Sequence, residues 1–166
     1  MKASPSAEAD FLALYEEFAD AIFRHCFFKV SNRDVATDLT QETFIRAWQY
    51  IAKGMEIENA RAFLYRIATN LTIDYYRKKR ETSLDQLLEA GFEPGENTEE
   101  RLYDSLDGRR MLELVKTLDP KYRDVVLMRY VEGLSPKEIA EIIDETENVV
   151  SVRLHRALKK VSELWK

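Results

Sequence analysis

Cysteine and histidine are nearly missing from this chain of 166 residues. Cys26 stands alone, so no internal disulfide can form, and His25 and His155 give no zinc-ligand spacing. Redox and structural-metal roles fall away together. Apolar runs stop after a few residues, far short of the roughly 20 that a bilayer crossing takes, and Met1 to Asp10 lacks the apolar core of a signal peptide. The expectation is a soluble chain that stays in the cytoplasm. Apolar residues are not scarce: at 45% they suffice for packed cores, in one ordinary domain or two small ones.

Net charge is modest, −5 from 25 cations and 30 acids, but it is unevenly spread. Arg61 to Arg80, RAFLYRIATNLTIDYYRKKR, sets six cations (Arg61, Arg66, Arg77, Lys78, Lys79, Arg80) against Asp74 alone. Residues 81 to 107 reverse the sign, with nine acids against Arg101. The cations of the last third gather in Asn148 to Lys166, where five oppose Glu163. Two basic segments flank an acidic connector, and local charge of this kind suits nucleic acid.

The periodicity is helical throughout. Ser4 or Ser6 can cap a first helix whose Phe11, Leu14, Tyr15, Phe18 and Ile22 recur at three- and four-residue spacing. Cys26 extends that stripe as a buried thiol, with His25 partly exposed beside it. Ser31 and Asp34 make a capping-box-like start to a second helix, through Val35, Leu39, Phe44, Ala47, Trp48 and Ile51, which stops at Gly54. Its other face gathers Asp38, Gln41, Glu42 and Ile45. That face is solvated, docks a protein, or holds a metal, and the last lacks a third ligand.

Asn59 caps the Arg61 to Arg80 helix, whose buried stripe is Phe63, Leu64, Ile67, Ala68, Leu71 and Tyr75. Arg66, Asn70, Asp74 and Arg77 form an outward line with Thr69 and Ile73 beside it, and Tyr75 and Tyr76 interleave aromatics before Lys78 and Lys79. Phosphate neutralisation and base stacking need these groups together. The plainer alternative is a cationic terminus that complements the helix dipole.

Past the connector, Thr98 can cap a helix running through Met111, Leu112, Val115 and Leu118. Asp119-Pro120 opens another, ending at Glu132-Gly133. Ser135-Pro136-Lys137-Glu138 is a capping box with proline at the first helical position, starting a short helix through Ile139, Ala140 and Ile143. A tight turn at Asp144-Glu145 leads to Thr146 as the next cap. The last helix turns Val150, Leu154, Leu158 and Val161 inward and leaves Ser151, Val152, His155, Arg156, Lys159 and Lys160 outward. Short helix, tight turn and longer basic helix make the helix-turn-helix pattern, whose second helix enters the major groove. Arg156 suits guanine's paired acceptors, Lys159 and Lys160 suit phosphates, and His155 contacts DNA or is merely exposed.

DLTQETFIRAWQYI (Asp38 to Ile51), RAFLYRIATNLTIDYYRKKR, and LDPKYRDVVLMRYVEGLSPKEIAEII followed by VSVRLHRALKKV together resemble an extracytoplasmic-function sigma factor of the sigma-70 family. The resemblance leaves out only the first few residues and the connector. It implies an all-α protein of two small helical domains, sigma2 over 1–80 and sigma4 over 108–166, joined by an acidic linker over 81–107. It further implies no enzymatic activity and no cofactor, with core RNA polymerase and promoter DNA as partners and an anti-sigma factor as regulator.

Carried over by position, Asp38, Gln41, Glu42 and Ile45 would dock on the beta-prime clamp helices, the beta subunit completing the polymerase contact. Arg66, Asn70, Asp74, Arg77, Lys78 and Lys79 would contact the melted -10 element, and the loop Lys53 to Asn59 would hold a flipped base. Ser151, Val152, His155, Arg156, Lys159 and Lys160 would read the -35 element. The chain departs from the family pattern at Asp144, where glycine is usual, and at Ser151, often basic. Glu145 and Glu147 place acids near the DNA, and Phe63 replaces a frequent tryptophan.

The two promoter elements lie about 70 Å apart at roughly 3.4 Å per base pair. A relaxed linker averages about 30 Å, so it must be held extended; Glu93, Glu96, Glu99 and Glu100 are expected to lie in a basic polymerase channel. Two rival readings remain. One is a free-standing helix-turn-helix regulator of duplex operators; the other is a metal-dependent helical enzyme using Asp38 and Glu42, which lacks further ligands.

Overall fold

A computed structural model describes residues 4–86 and 106–165, with side chains over 4–81 and 109–165; these residues form helices and turns, with no strand among them. The chain divides into two compact units, Met1–Gly95 and Glu96–Lys166.

In the first unit, α1 (Pro5–Val30) is capped by Ser4, whose side chain accepts from the Ala7 N–H. It ends on Ser31 in the left-handed conformation (φ 51°), with its N–H returned to the Phe27 carbonyl. Asn32 then caps α2 (Arg33–Ala52) by accepting from the Val35 N–H. The expected Ser31–Asp34 box is therefore displaced by one residue. Ser31 is already spent closing α1, and the next side chain able to cap takes the role. Gly54 (φ 78°) turns the chain after α2, Asn59 accepts from the Ala62 N–H at 3.0 Å, and α3 (Ala60–Gln86) runs on past Arg80.

Ile22 and Cys26 of α1, Phe44 and Ala47 of α2, and Leu64, Ala68 and Leu71 of α3 bury themselves in the centre. Toward one end Phe11 meets Trp48 edge-on at 5.2 Å, and Tyr15 meets Phe44 at 4.8 Å. Tyr15 remains exposed on its outer side.

His25 departs from the expectation. It is 1% exposed, with Nε2 2.9 Å from the Thr69 hydroxyl and its ring edge-on to Tyr65 at 4.9 Å. Thr69, placed beside the outward line by its spacing, is itself only 4% exposed. The two polar groups satisfy each other, which is how an imidazole is held in an apolar layer without a large desolvation cost.

The second unit is built from α4 (Leu106–Lys116), α5 (Pro120–Val126), α6 (Pro136–Ile143) and α7 (Glu147–Leu164). Pro120 starts α5 as expected, although the Asp119 side chain makes no capping bond. Past Val126 the helix widens into a π turn, Leu127–Val131, which the sequence pattern did not announce. The widening accompanies four consecutive buried residues, Val125 to Met128, while Tyr130 emerges on the outside.

The capping box is complete: the Glu138 N–H donates to the Ser135 hydroxyl at 3.1 Å, and the Ser135 N–H to Glu138 Oε2 at 2.8 Å. Asp144 takes the left-handed turn position (φ 56°), and Thr146 caps α7. Two core positions shift from their expected places. Ile142, not Ile143, is buried, and in α7 Ala157 faces the core while Leu158 is 43% exposed. The cap at Thr98 and the acids Glu93, Glu96, Glu99 and Glu100 lie outside the described residues.

Candidate nucleic-acid interface

Burial of Leu64, Ala68, Leu71 and Thr72 fixes the rotation of α3 and leaves Arg66, Asn70, Ile73 and Arg77 exposed on its opposite side. Asp74 is half-buried among them and pairs with Arg77, Oδ1 to Nη2, at 3.2 Å. Arg77 is thus presented with a counter-charge. Lys78, Lys79 and Arg80 follow, all exposed. Tyr76 donates its hydroxyl to the Lys29 carbonyl at the end of α1, which anchors the basic part of α3 to a second helix. Tyr75 lies edge-on to Tyr76 at 5.4 Å, with the Lys79 ammonium 6.0 Å from its ring centre. The surface combines cations, an amide, the exposed Tyr76 ring and the half-buried Tyr75 ring, the groups that phosphates and unpaired bases engage.

On α2, Asp38, Gln41 and Ile45 are exposed and Glu42 is half-buried. Glu42 accepts from Arg46 Nε at 3.0 Å, so this carboxylate is committed to an ion pair one turn on. Among the described residues no cluster of three metal-ligating side chains occurs.

On α7 the outward residues are Ser151, Val152, His155, Arg156 and Lys159. Lys160 is exposed too, but its ammonium sits 4.5 Å from the centre of the Tyr122 ring on α5. Arg153, absent from the expected set, reaches back to Glu145 in the turn, Nη2 to Oε1 at 3.1 Å. The Glu42–Arg46 spacing was readable as a helical i, i+4 pair. Neither the Tyr76 anchor nor the Arg153 contact has such a local signal, since both depend on where the chain is carried by its turns.

These two surfaces coincide with two family matches. The model of sigma-70 region 2 matches residues 14–82, and that of sigma-70 region 4 matches residues 108–161. SigW of Bacillus subtilis, an ECF RNA polymerase sigma factor, is 35% identical over 172 residues, covering 96% of this chain and 90% of SigW. This chain belongs to the ECF sigma factors. It is a non-enzymatic factor that directs promoter-specific transcription.

BldN of Streptomyces coelicolor, another ECF sigma factor, is 30% identical over 164 residues; the match takes in 96% of this chain but 62% of BldN's length. Among solved structures, the sigma factor RpoE from Bartonella quintana, crystallised with the anti-sigma factor NepR, superposes with a TM-score of 0.73. It is 23% identical, over 94% of this chain and 96% of its own, a likeness of fold. No helix among the described residues of this sigma factor is long and apolar enough to cross a membrane.

Proposed function

We propose that residues 1–80 form the sigma2 part of this factor, 81–107 the linker and 108–166 the sigma4 part, and that the factor works in the cytoplasm. Sigma2 docks on the beta-prime clamp helices of core polymerase through Asp38, Gln41, Glu42 and Ile45. Arg66, Asn70, Asp74 and Arg77 contact the opened -10 strand, with Lys78 and Lys79 as general phosphate contacts. Sigma4 lays Ser151, Val152, His155 and Arg156 into the major groove of the -35 element, and Lys159 and Lys160 flank it. The Lys53 to Asn59 loop receives an unstacked base.

One observation carries the reading: a single chain presents the exposed Arg66 to Arg77 line of α3 and, in its other unit, a capped α6–turn–α7 pair with a polar, cationic outer face. A duplex-operator regulator would have use for the second surface and none for the first. RpoE of Bartonella quintana was crystallised with the anti-sigma factor NepR, and CnrH was solved in complex with the cytosolic domain of CnrY; control by an anti-sigma partner is proposed for this factor too.

Run-off transcription from genomic promoter fragments tests the whole scheme. Transcripts are expected only when core polymerase and this protein are both present. Duplex binding that core polymerase does not enhance, without new transcripts, favours the free-standing regulator.

A further inference from the structure

The cations of α7 fall into two groups. Arg156 and Lys159 are exposed on the outward line, without an ion-pair partner among the described residues. Arg153 and Lys160 lie seven residues apart on one flank, and both are engaged by the fold itself. Lys160 rests on Tyr122, whereas Arg153 is held by an acid.

That acid is placed with consequence. Glu145 lies in the turn, one residue before the Thr146 cap, and Arg153 lies about two turns into the helix. Helical side chains lean toward the N-terminus, so Arg153 reaches back along α7 to meet Glu145 Oε1 at 3.1 Å. Between Glu147 and Arg153 the helix offers Asn148, Val149, Val150, Ser151 and Val152, none of them positive. Arg153 is therefore the first positive charge behind the leading end of α7, the end that a helix-turn-helix pushes into the groove.

We propose that Glu145 sets the strength of DNA binding by withholding Arg153 from the phosphate backbone, so that sigma4 holds duplex DNA more weakly than its cations alone would allow. The inference rests on the reading of α7 as the DNA helix. A carboxylate and a phosphate compete for the same guanidinium fork, and both side chains of the pair are partly exposed, 25% for Arg153 and 38% for Glu145, so either outcome is within reach of the side chain. Such restraint adds discrimination. A factor whose isolated helix grips any duplex spends its time on irrelevant sites, whereas one held weak needs the remaining promoter contacts to bind stably.

The test uses the full chain and a fluorescently labelled duplex of mixed sequence, titrated by anisotropy between roughly 50 and 200 mM salt. Glu145→Gln is expected to tighten binding about five-fold and to steepen the log–log salt dependence by about one unit, the signature of one more phosphate neutralised. Arg153→Gln is expected to weaken binding several-fold by leaving Glu145 uncompensated, and the double variant to return close to the original affinity.

A merely structural staple predicts weaker binding in both single variants. Unchanged or weaker binding by Glu145→Gln overturns the proposal. Arg156→Gln separates it from the reading beneath: if that change weakens binding while Glu145→Gln does nothing, only the proposal falls. If Arg156→Gln binds as the original chain does, the assignment of α7 to DNA falls as well.

Discussion

The two units cap their helices alike but differ in what they bury between them. All four buried polar side chains among the described residues, His25, Thr43, Thr69 and Thr72, belong to the first unit. The described residues of the second unit have none, and its helices rely on what both units share: side-chain caps, at Ser135 and Thr146 here and at Ser4, Asn32 and Asn59 in the first unit, and left-handed turns, at Gly133 and Asp144 here and at Ser31 and Gly54 there. Length explains the contrast. Helices of 26, 20 and 27 residues present long apolar seams along which neighbours could slip. One buried hydrogen bond between α1 and α3, at His25 and Thr69, is lost at any other register. Helices of 8 and 18 residues have less seam to slide along, and capped ends alone suffice to define them.

That difference can be broken at its strongest point first. His25→Ala opens a cavity and strands the Thr69 hydroxyl, an expected loss of about 3 kcal/mol. Amide hydrogen exchange should accelerate through α1 and α3 and stay unchanged in α5 to α7. If the second unit loosens equally, register in the first is not what the bond protects.

Arg156→Ala comes next, with about 2 kcal/mol lost in binding to a -35 duplex and no change in thermal stability. Ser135→Ala removes the capping box and is expected to destabilise the second unit by about 1 kcal/mol, read by urea unfolding. The smallest effect is expected from Asp144→Gly. It relieves a non-glycine residue at φ 56° and should stabilise the turn by a few tenths to about 1 kcal/mol. A loss there would mean that the Asp144 side chain does more than tolerate the turn.

Most of the helices were legible because caps and periodicity are local. Ser4, Asn59, Ser135 and Thr146 all act as their spacing predicts. What was not legible depends on which neighbour arrives. Hydrophobicity ranks Leu158 above Ala157, but the small side chain is the one turned to the core, where Ala157 is fully buried. The sequence pattern also assigned Thr69 and His25 separately, one to an exposed line and one to a partly exposed site. Only the packing of α1 on α3 makes them partners across 44 residues. Ser31 shows the same limit at short range: a residue with two possible roles cannot be assigned until the helix before it is known to end there.

The candidate interface divides in the same way. Exposure of Asp38, Gln41, Ile45, Arg66, Asn70, Ser151, Val152, His155 and Arg156 follows from helical periodicity alone. The pairing of Glu42 with Arg46 and of Asp74 with Arg77 is helical spacing too, whereas that of Glu145 with Arg153 spans the turn into α7 and has no such signal. These pairs change how much positive charge each surface offers, which a count of cations along the chain overstates.

The chain has two tryptophans, and they fall one to each unit. Trp48 is lodged against the Phe11 ring at 5.2 Å, and Trp165 lies beneath the Arg110 guanidinium at 4.8 Å. Each unit therefore carries its own native fluorophore in a distinct surrounding, one aromatic and one beside a cation. Replacing either indole with phenylalanine leaves an intrinsic emission signal for the other unit, so melting and partner docking can be followed half by half without attaching a dye.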